Sequence, residues 1–298
     1  MPSNVFLKKG AKGDLVRKLQ LKLALKADGD FGNMTLGAVK SWQIAKKLEP
    51  TGEVDAHTWA GICDLPSPSL FERCLMLTQN IEGHGYNLAA GNYDGAGITW
   101  GIIGFTIKSG SLYKVLSRIP LQELEQIFGK SETAALLTAC KTNDINFGQK
   151  LSIMSGKKLQ EKWQSAFDKL GNLESARKAQ RDVVEESYWI PSQKQLEKEL
   201  PELKSERAAA IAFDSWVQQG KIYNTAIAKA RECIKQNLPE LKSLEAIAAG
   251  QRDGMSLQAR TKWGNNVFAR RITIARGAGI ANGVSYDLSN YGLNLVPR

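Results

Sequence analysis

Two copies of one short pattern lie ahead of Leu65. A repeat constrains a chain more than propensity does, because both copies must fold alike. Asp28-Gly29-Asp30-Phe31-Gly32 is followed by Thr35, and Thr51-Gly52-Glu53-Val54-Asp55 is followed by Thr58-Trp59. In each copy a glycine precedes an apolar residue by two positions and a threonine by six. The glycine suits a tight turn, the apolar residue a core plug, and the threonine the cap of a following helix. Leu15, Val16, Leu19 and Leu23 recur at helical spacing before the first copy, as do Leu36, Val39, Trp42 and Gln43 after it. Three short helices joined by two structured loops are expected here.

The next segment, Leu65-Pro66-Ser67-Pro68-Ser69, loses two backbone donors and favours extended chain. It reads as a linker, dividing the chain into residues 1–65 and 66–298. Beyond it, amphipathic stretches run near Leu70 to Ile81, Leu121 to Thr142, Gly156 to Leu170, Ala176 to Glu186, Gln193 to Lys198 and Glu206 to Gln218. Strand signals are few, and the glycine-rich stretch Gly83 to Gly104 is the one place that predicts a small sheet or hairpin. The expected class is mainly α, with a small three-helix domain followed by a larger α+β domain that carries a short β element.

Composition narrows the chemistry. No run of about 18 apolar residues is present, so no membrane span is expected. Cys63, Cys74, Cys140 and Cys233 lie far apart, lack the paired spacing of a zinc site, and read as reduced structural thiols. His57 and His84 leave little material for a histidine metal site or a Ser-His-Asp hydrolase. No cofactor and no metal is therefore expected, and carboxylates are the candidates for chemistry. The net charge of +10 favours a polyanionic partner. That excess is shared, three net charges before Leu65 and seven after it, which speaks against a dedicated nucleic-acid arm. The opening residues lack the apolar core of a secretory signal, so the chain is expected to stay in the cytoplasm after synthesis.

Glu82 ends the apolar run Cys74 to Ile81, just ahead of Gly83. A carboxyl half-buried at such a helix end would be raised in pKa and kept as an acid, whereas Asp94, among glycines, would stay ionised. Glycosidic cleavage uses such a pair. Taken alone, Glu82 reads as a solvated helix-end carboxylate, and the glycines as a tight hairpin or packing segment. Thr99 reads alone as a threonine bonded to backbone. His84 is either a substrate contact or a structural loop residue. Tyr86, Trp100 and Tyr113 are candidates for stacking on sugar rings, with core packing the alternative for Trp100.

Gly10, Gly13, Val16, Leu19-Gln20, Asp28-Gly29, Phe31-Gly32, Thr35, Ala38-Val39, Trp42-Gln43, Gly52, Val54 and Thr58-Trp59 together resemble the three-helix peptidoglycan-binding module. Asp94 to Phe105, reading DGAGITWGIIGF, resembles the catalytic segment of the chitosanases, inverting glycosidases of the lysozyme superfamily. Weaker similarity continues at Gln180-Arg181-Asp182, Tyr188 and Pro191, and at Phe213-Asp214 with Gly220. The resemblance implies a lysozyme-like catalytic domain in which Glu82 is the general acid, Asp94 the base, and Thr99 the residue that helps hold the attacking water. Two departures stand out: the spacing from acid to base is shorter than in chitosanases, and Ala96 replaces a usual arginine.

Chitosanases act on a polycation, whereas this catalytic region is itself net positive, which implies an anionic substrate. Peptidoglycan, with its lactyl and peptide carboxylates, fits. The expectation is a phage-type endolysin that cleaves peptidoglycan as an inverting muramidase. It would be a monomer without nucleic acid or stable membrane insertion, with contact to an anionic outer envelope left open, held in the host cytoplasm until release to the wall. A lytic transglycosylase, a wall-targeting toxin or autolysin, and a non-catalytic virion wall-binding protein are the alternatives. The C-terminal stretch Gly283 to Leu293, preceded by Arg270-Arg271 and Arg276, either completes the cleft or packs as a terminal segment.

Overall fold

The computed structural model describes residues 5–83, 85–93, 95–147 and 154–297. The expected three helices are α1 (Asp14–Lys22), α2 (Asn33–Ala45) and α3 (Ala56–Cys63). A glutamine makes the two loops alike. Gln20 Oε1 accepts from Gly29 N at 2.8 Å, and its Nε2 donates to Asp28 Oδ1, Asp30 O and Thr35 Oγ1. In the second copy Gln43 Oε1 accepts from Gly52 N at 2.8 Å, and its Nε2 donates to Thr51 Oγ1 and Glu53 O. A buried amide with donors and an acceptor satisfies loop backbone that has no strand partner. Gly29 and Gly52 adopt φ of 78° and 75°, which other residues rarely reach.

Phe31 and Val54 are fully buried plugs, as expected. The threonines are not the caps: the N-cap positions are Gly32 and Asp55, and the Asp55 carboxylate accepts from Thr58 N at 2.8 Å. Thr35 and Thr58 sit inside the first turn, buried, where the Thr35 hydroxyl is already occupied by the Gln20 amide.

Residues 65–69 lead into α4 (Leu70–Glu82). Trp59 Nε1 donates to Pro66 O at 2.9 Å, and Ser69 and Glu72 cap the helix reciprocally.

The contacts divide the chain into two compact units, one of Glu82–Tyr188 and one of Met1–Ile81 with Trp189–Arg298. In the first, β1 (Ala89–Ala90), β2 (Thr99–Trp100) and β3 (Phe105–Thr106) form an antiparallel sheet in that order. Helices α5 (Ser111–Leu116), α6 (Leu121–Phe128) and α7 (Lys130–Lys141) follow, then the hairpin β4 (Met154–Ser155) and β5 (Lys158–Leu159), then α8 (Glu161–Gly171) and α9 (Glu174–Val184). The single stretch expected from Leu121 to Thr142 is two helices, broken at Gly129, whose φ of 94° is not helical. The helix expected from Gly156 starts only at Glu161, because Gly156 forms the turn of the β4–β5 hairpin. Trp100, Phe128, Trp163 and Phe167 make the aromatic core, with centroids 5.0–6.5 Å apart.

A π-helical turn, Glu185–Trp189, leads to the second unit's helices α10 (Ile190–Glu199), α11 (Glu206–Gln219), α12 (Asn224–Lys235), α13 (Glu240–Asp253) and α14 (Leu257–Arg276), and to the hairpin β6 (Ala278–Ala281) and β7 (Val284–Asp287). The helices beyond Gln219 bury small residues such as Ala226, Ala230, Ala248 and Gly250 together with Ile227, Leu244 and Ile247. Phe71, Trp189 and Phe213 pack with centroids 5.6–6.2 Å apart.

Beneath them Asp214 is fully buried against Arg270 at 2.5 Å and Arg271 at 3.4 Å. Burial works against its charge, but the two guanidiniums hold its carboxyl below the ordinary value. The chain after β7 runs along α11, where Glu206 N donates to Val296 O, and Glu206 pairs with Arg73 at 2.6 Å. The three-helix module also belongs to this unit. Asn80 Nδ2 of α4 donates to Lys12 O at 2.8 Å, and Gly292 lies against Phe6 with no room for a side chain.

Candidate active site

Glu82 is the last residue of α4 and is half-buried. The chain then turns and enters β1, and Tyr86 on the way is only 4% exposed. Its ring lies under the Arg177 guanidinium at 5.4 Å, and its carbonyl accepts from Gln180 Nε2 at 3.1 Å. Gln180, fully buried on α9, also accepts from Ile102 N at 3.0 Å through Oε1. One side chain thus fastens the segment after Glu82 to the turn after Thr99 and Trp100. Gly101 makes this possible: its φ is 88°, and a Cβ there would lie 2.3 Å from Gln180 Oε1. Beside Gln180, burial opposes the Arg181 charge, but Tyr86 and Glu174 outweigh it and hold the guanidinium above its ordinary value.

Adjacent strand residues point to opposite faces. Trp100 accordingly enters the core, 0% exposed and 5.5 Å from Phe167, while Thr99 is half-buried on the other face between Ala90 and Thr106. Asn92 Oδ1 accepts from Gly97 N at 3.0 Å and closes the loop leading to β2. At Gly91 a Cβ would lie 2.1 Å from Lys157 O, so the β4–β5 hairpin sits directly on this loop and brings exposed Lys157 and Lys158 beside it. Asp94 and His84 lie outside the described residues.

Glu82 and Thr99 therefore share one unit, their segments joined by Gln180. Sugar stacking by Tyr86 and Trp100 is corrected, since the first ring is covered by Arg177 and the second is inside the core. Tyr113 lines an apolar groove of about 300 Å³ with Leu116, Leu121, Leu137 and Lys141, which none of Glu82, Tyr86, Thr99 or Trp100 lines.

One residue was not foreseen in its role. Gln180 falls only in a stretch of weaker family similarity, and a buried glutamine facing backbone across 78 residues leaves no local signal. Among the described residues no group of three or more His, Cys, Asp or Glu is placed to hold a metal ion, and no helix is long and apolar enough to cross a membrane.

Residues 12–62 match the family model of a peptidoglycan binding domain, and residues 80–246 match that of glycosyl hydrolase family 46. No curated protein matches the chain. Among solved structures, the native chitosanase from Bacillus subtilis MY002 is similar in fold at a TM-score of 0.53 and 18% identity, covering 72% of this chain and 95% of that one. A mutant of the same chitosanase complexed with 6 GlcN gives a TM-score of 0.54 and 17% identity, covering 73% of this chain and 98% of that one. With more than half its residues matched, including Glu82, Thr99 and Gln180, the chain belongs to glycosyl hydrolase family 46 and is a glycosidase that carries a peptidoglycan binding domain ahead of its hydrolase domain.

Proposed function

We propose that this glycosidase is an endolysin-type muramidase that hydrolyses the β-1,4-linked glycan of bacterial peptidoglycan with inversion. The observation that carries the reading is the pairing of a peptidoglycan binding domain with a hydrolase domain whose candidate loop is flanked by exposed Lys157 and Lys158. A cationic rim attracts a glycan bearing carboxylates and repels a polyamine.

In this mechanism Glu82 protonates the leaving sugar oxygen as the glycosidic bond breaks. Asp94, assigned from its place in the sequence motif, takes a proton from the water that attacks the anomeric carbon from the opposite face, and the Thr99 hydroxyl orients that water. One displacement inverts the anomeric centre and leaves a free reducing end.

The test is mass spectrometry of digested peptidoglycan. Products that gain water and end in reducing N-acetylmuramic acid are expected, with Glu82→Gln and Asp94→Asn each losing at least about 100-fold in turnover. Anhydro products would indicate a transglycosylase instead. Cleavage of chitosan oligomers with peptidoglycan left intact would overturn the substrate assignment.

A further inference from the structure

The last carbonyls of a helix have no partner within it and must find donors elsewhere. At the end of α4 those donors come from far along the chain. Ile81 O accepts from Asn282 Nδ2 at 2.7 Å, and Asn80 O accepts from the Tyr286 hydroxyl at 2.9 Å. Both donors belong to the β6–β7 hairpin, whose register pairs Ala281 with Val284 across a two-residue Asn282-Gly283 turn. With φ of 51° and 77°, that turn has both central residues left-handed, the form that matches strand twist.

The Asn282 side chain is itself fixed, because its Oδ1 accepts from Asn266 Nδ2 on α14. Burial pushes the Tyr286 phenol above its ordinary value, so it remains a donor. Asn80 is held from a third side, its Nδ2 donating to Lys12 O of the peptidoglycan binding domain and to the Tyr291 hydroxyl at 3.1 Å.

We infer that Asn80, Asn282 and Tyr286 are positioning residues for the glycosidase: the C-terminal hairpin and the peptidoglycan binding domain together clamp the last turn of α4 and so fix the direction in which Glu82 leaves it. This rests on Glu82 being the general acid. The residues touch no substrate. They act through the backbone of the two residues before Glu82, where a misplacement of about 1 Å costs on the order of 100-fold in rate.

Asn282→Gly keeps the turn, since glycine is favoured at both of its positions, and removes only the side-chain donor. Tyr286→Phe removes a single oxygen. Both variants are compared with wild type and Glu82→Gln on soluble peptidoglycan strands and chitosan oligomers, with amide hydrogen exchange read over residues 79–83. The expected result is faster exchange there, and kcat lowered roughly 10- to 100-fold with KM within about twofold, since the acid is displaced and the binding surface is not. Unchanged exchange, or kcat at the wild-type level while Glu82→Gln is inactive, overturns the clamp and leaves the acid assignment standing. An active Glu82→Gln enzyme overturns the acid assignment, and the clamp with it.

Discussion

Replacing Asp214 by asparagine keeps its volume and removes the charge that faces Arg270 at 2.5 Å and Arg271 at 3.4 Å. All three side chains are 0–1% exposed. Removing one partner of a buried pair costs about 3–5 kcal/mol, because the remaining charge keeps its desolvation penalty and loses its counterion. At about 2–4 °C per kcal/mol for a domain of about 150–250 residues, the melting transition should fall by roughly 6–20 °C.

Acid sensitivity supplies the sharper check. The Asp214 carboxyl is held below its ordinary value, so the ionised form stabilises the fold. Its contribution is complete above the unfolded value of about 3.9 and is lost as pH falls through the folded-state value. The gap between wild type and Asp214→Asn should therefore be widest near neutrality and should narrow below about pH 4. Calorimetric melting at about pH 7, 5 and 3 measures it. A variant melting within about 2 °C of wild type at neutrality, or a gap that persists undiminished in acid, would refute the reasoning.

Gln180→Leu leaves the Tyr86 carbonyl and the Ile102 amide without their buried partner, each costing about 1–3 kcal/mol. Turnover should fall at least about tenfold in protein that is still folded by circular dichroism, and wild-type kcat would show that Gln180 does not join the two segments of the site. Thiol titration of native protein should release one fast equivalent, from half-exposed Cys233. Cys74 is buried, and burial pushes the Cys63 and Cys140 thiols up to about 11 and 12, so these three should react only after denaturation. A second fast equivalent would contradict their burial.

The repeat before Leu65 was legible because its residues lie close together. Gly29, Phe31, Gly52 and Val54 declare the turns and plugs locally, although the sequence does not reveal that Gln20 and Gln43 hold both loops. The family was legible in the same way, from the contiguous residue types of Asp94 to Phe105. What joins distant segments was not. Asp214 meets Arg270 across 56 residues and Gln180 meets Ile102 across 78, distances over which sequence pattern carries no pairing information. Tyr86 and Trp100 were open to misreading because an aromatic side chain reads identically in a cleft and in a core. The dipeptide Asn282-Gly283 is a local hairpin signal, but an isolated β6–β7 hairpin says nothing about the helix end that it caps.

The clamp on α4 also orders events during synthesis. Asn282 stands 201 residues after Ile81, and the Tyr286 hydroxyl closes a span of 206 residues back to Asn80. At about 5–20 residues per second on the ribosome, roughly 10–40 seconds separate the emergence of Glu82 from that of its braces. Under the clamp inferred above, the early products of translation lack both donors to the last turn of α4. In that proposal the helix end carrying Glu82 is braced only once the C-terminal hairpin has been made, so the order of the chain separates the acid from its supports in time.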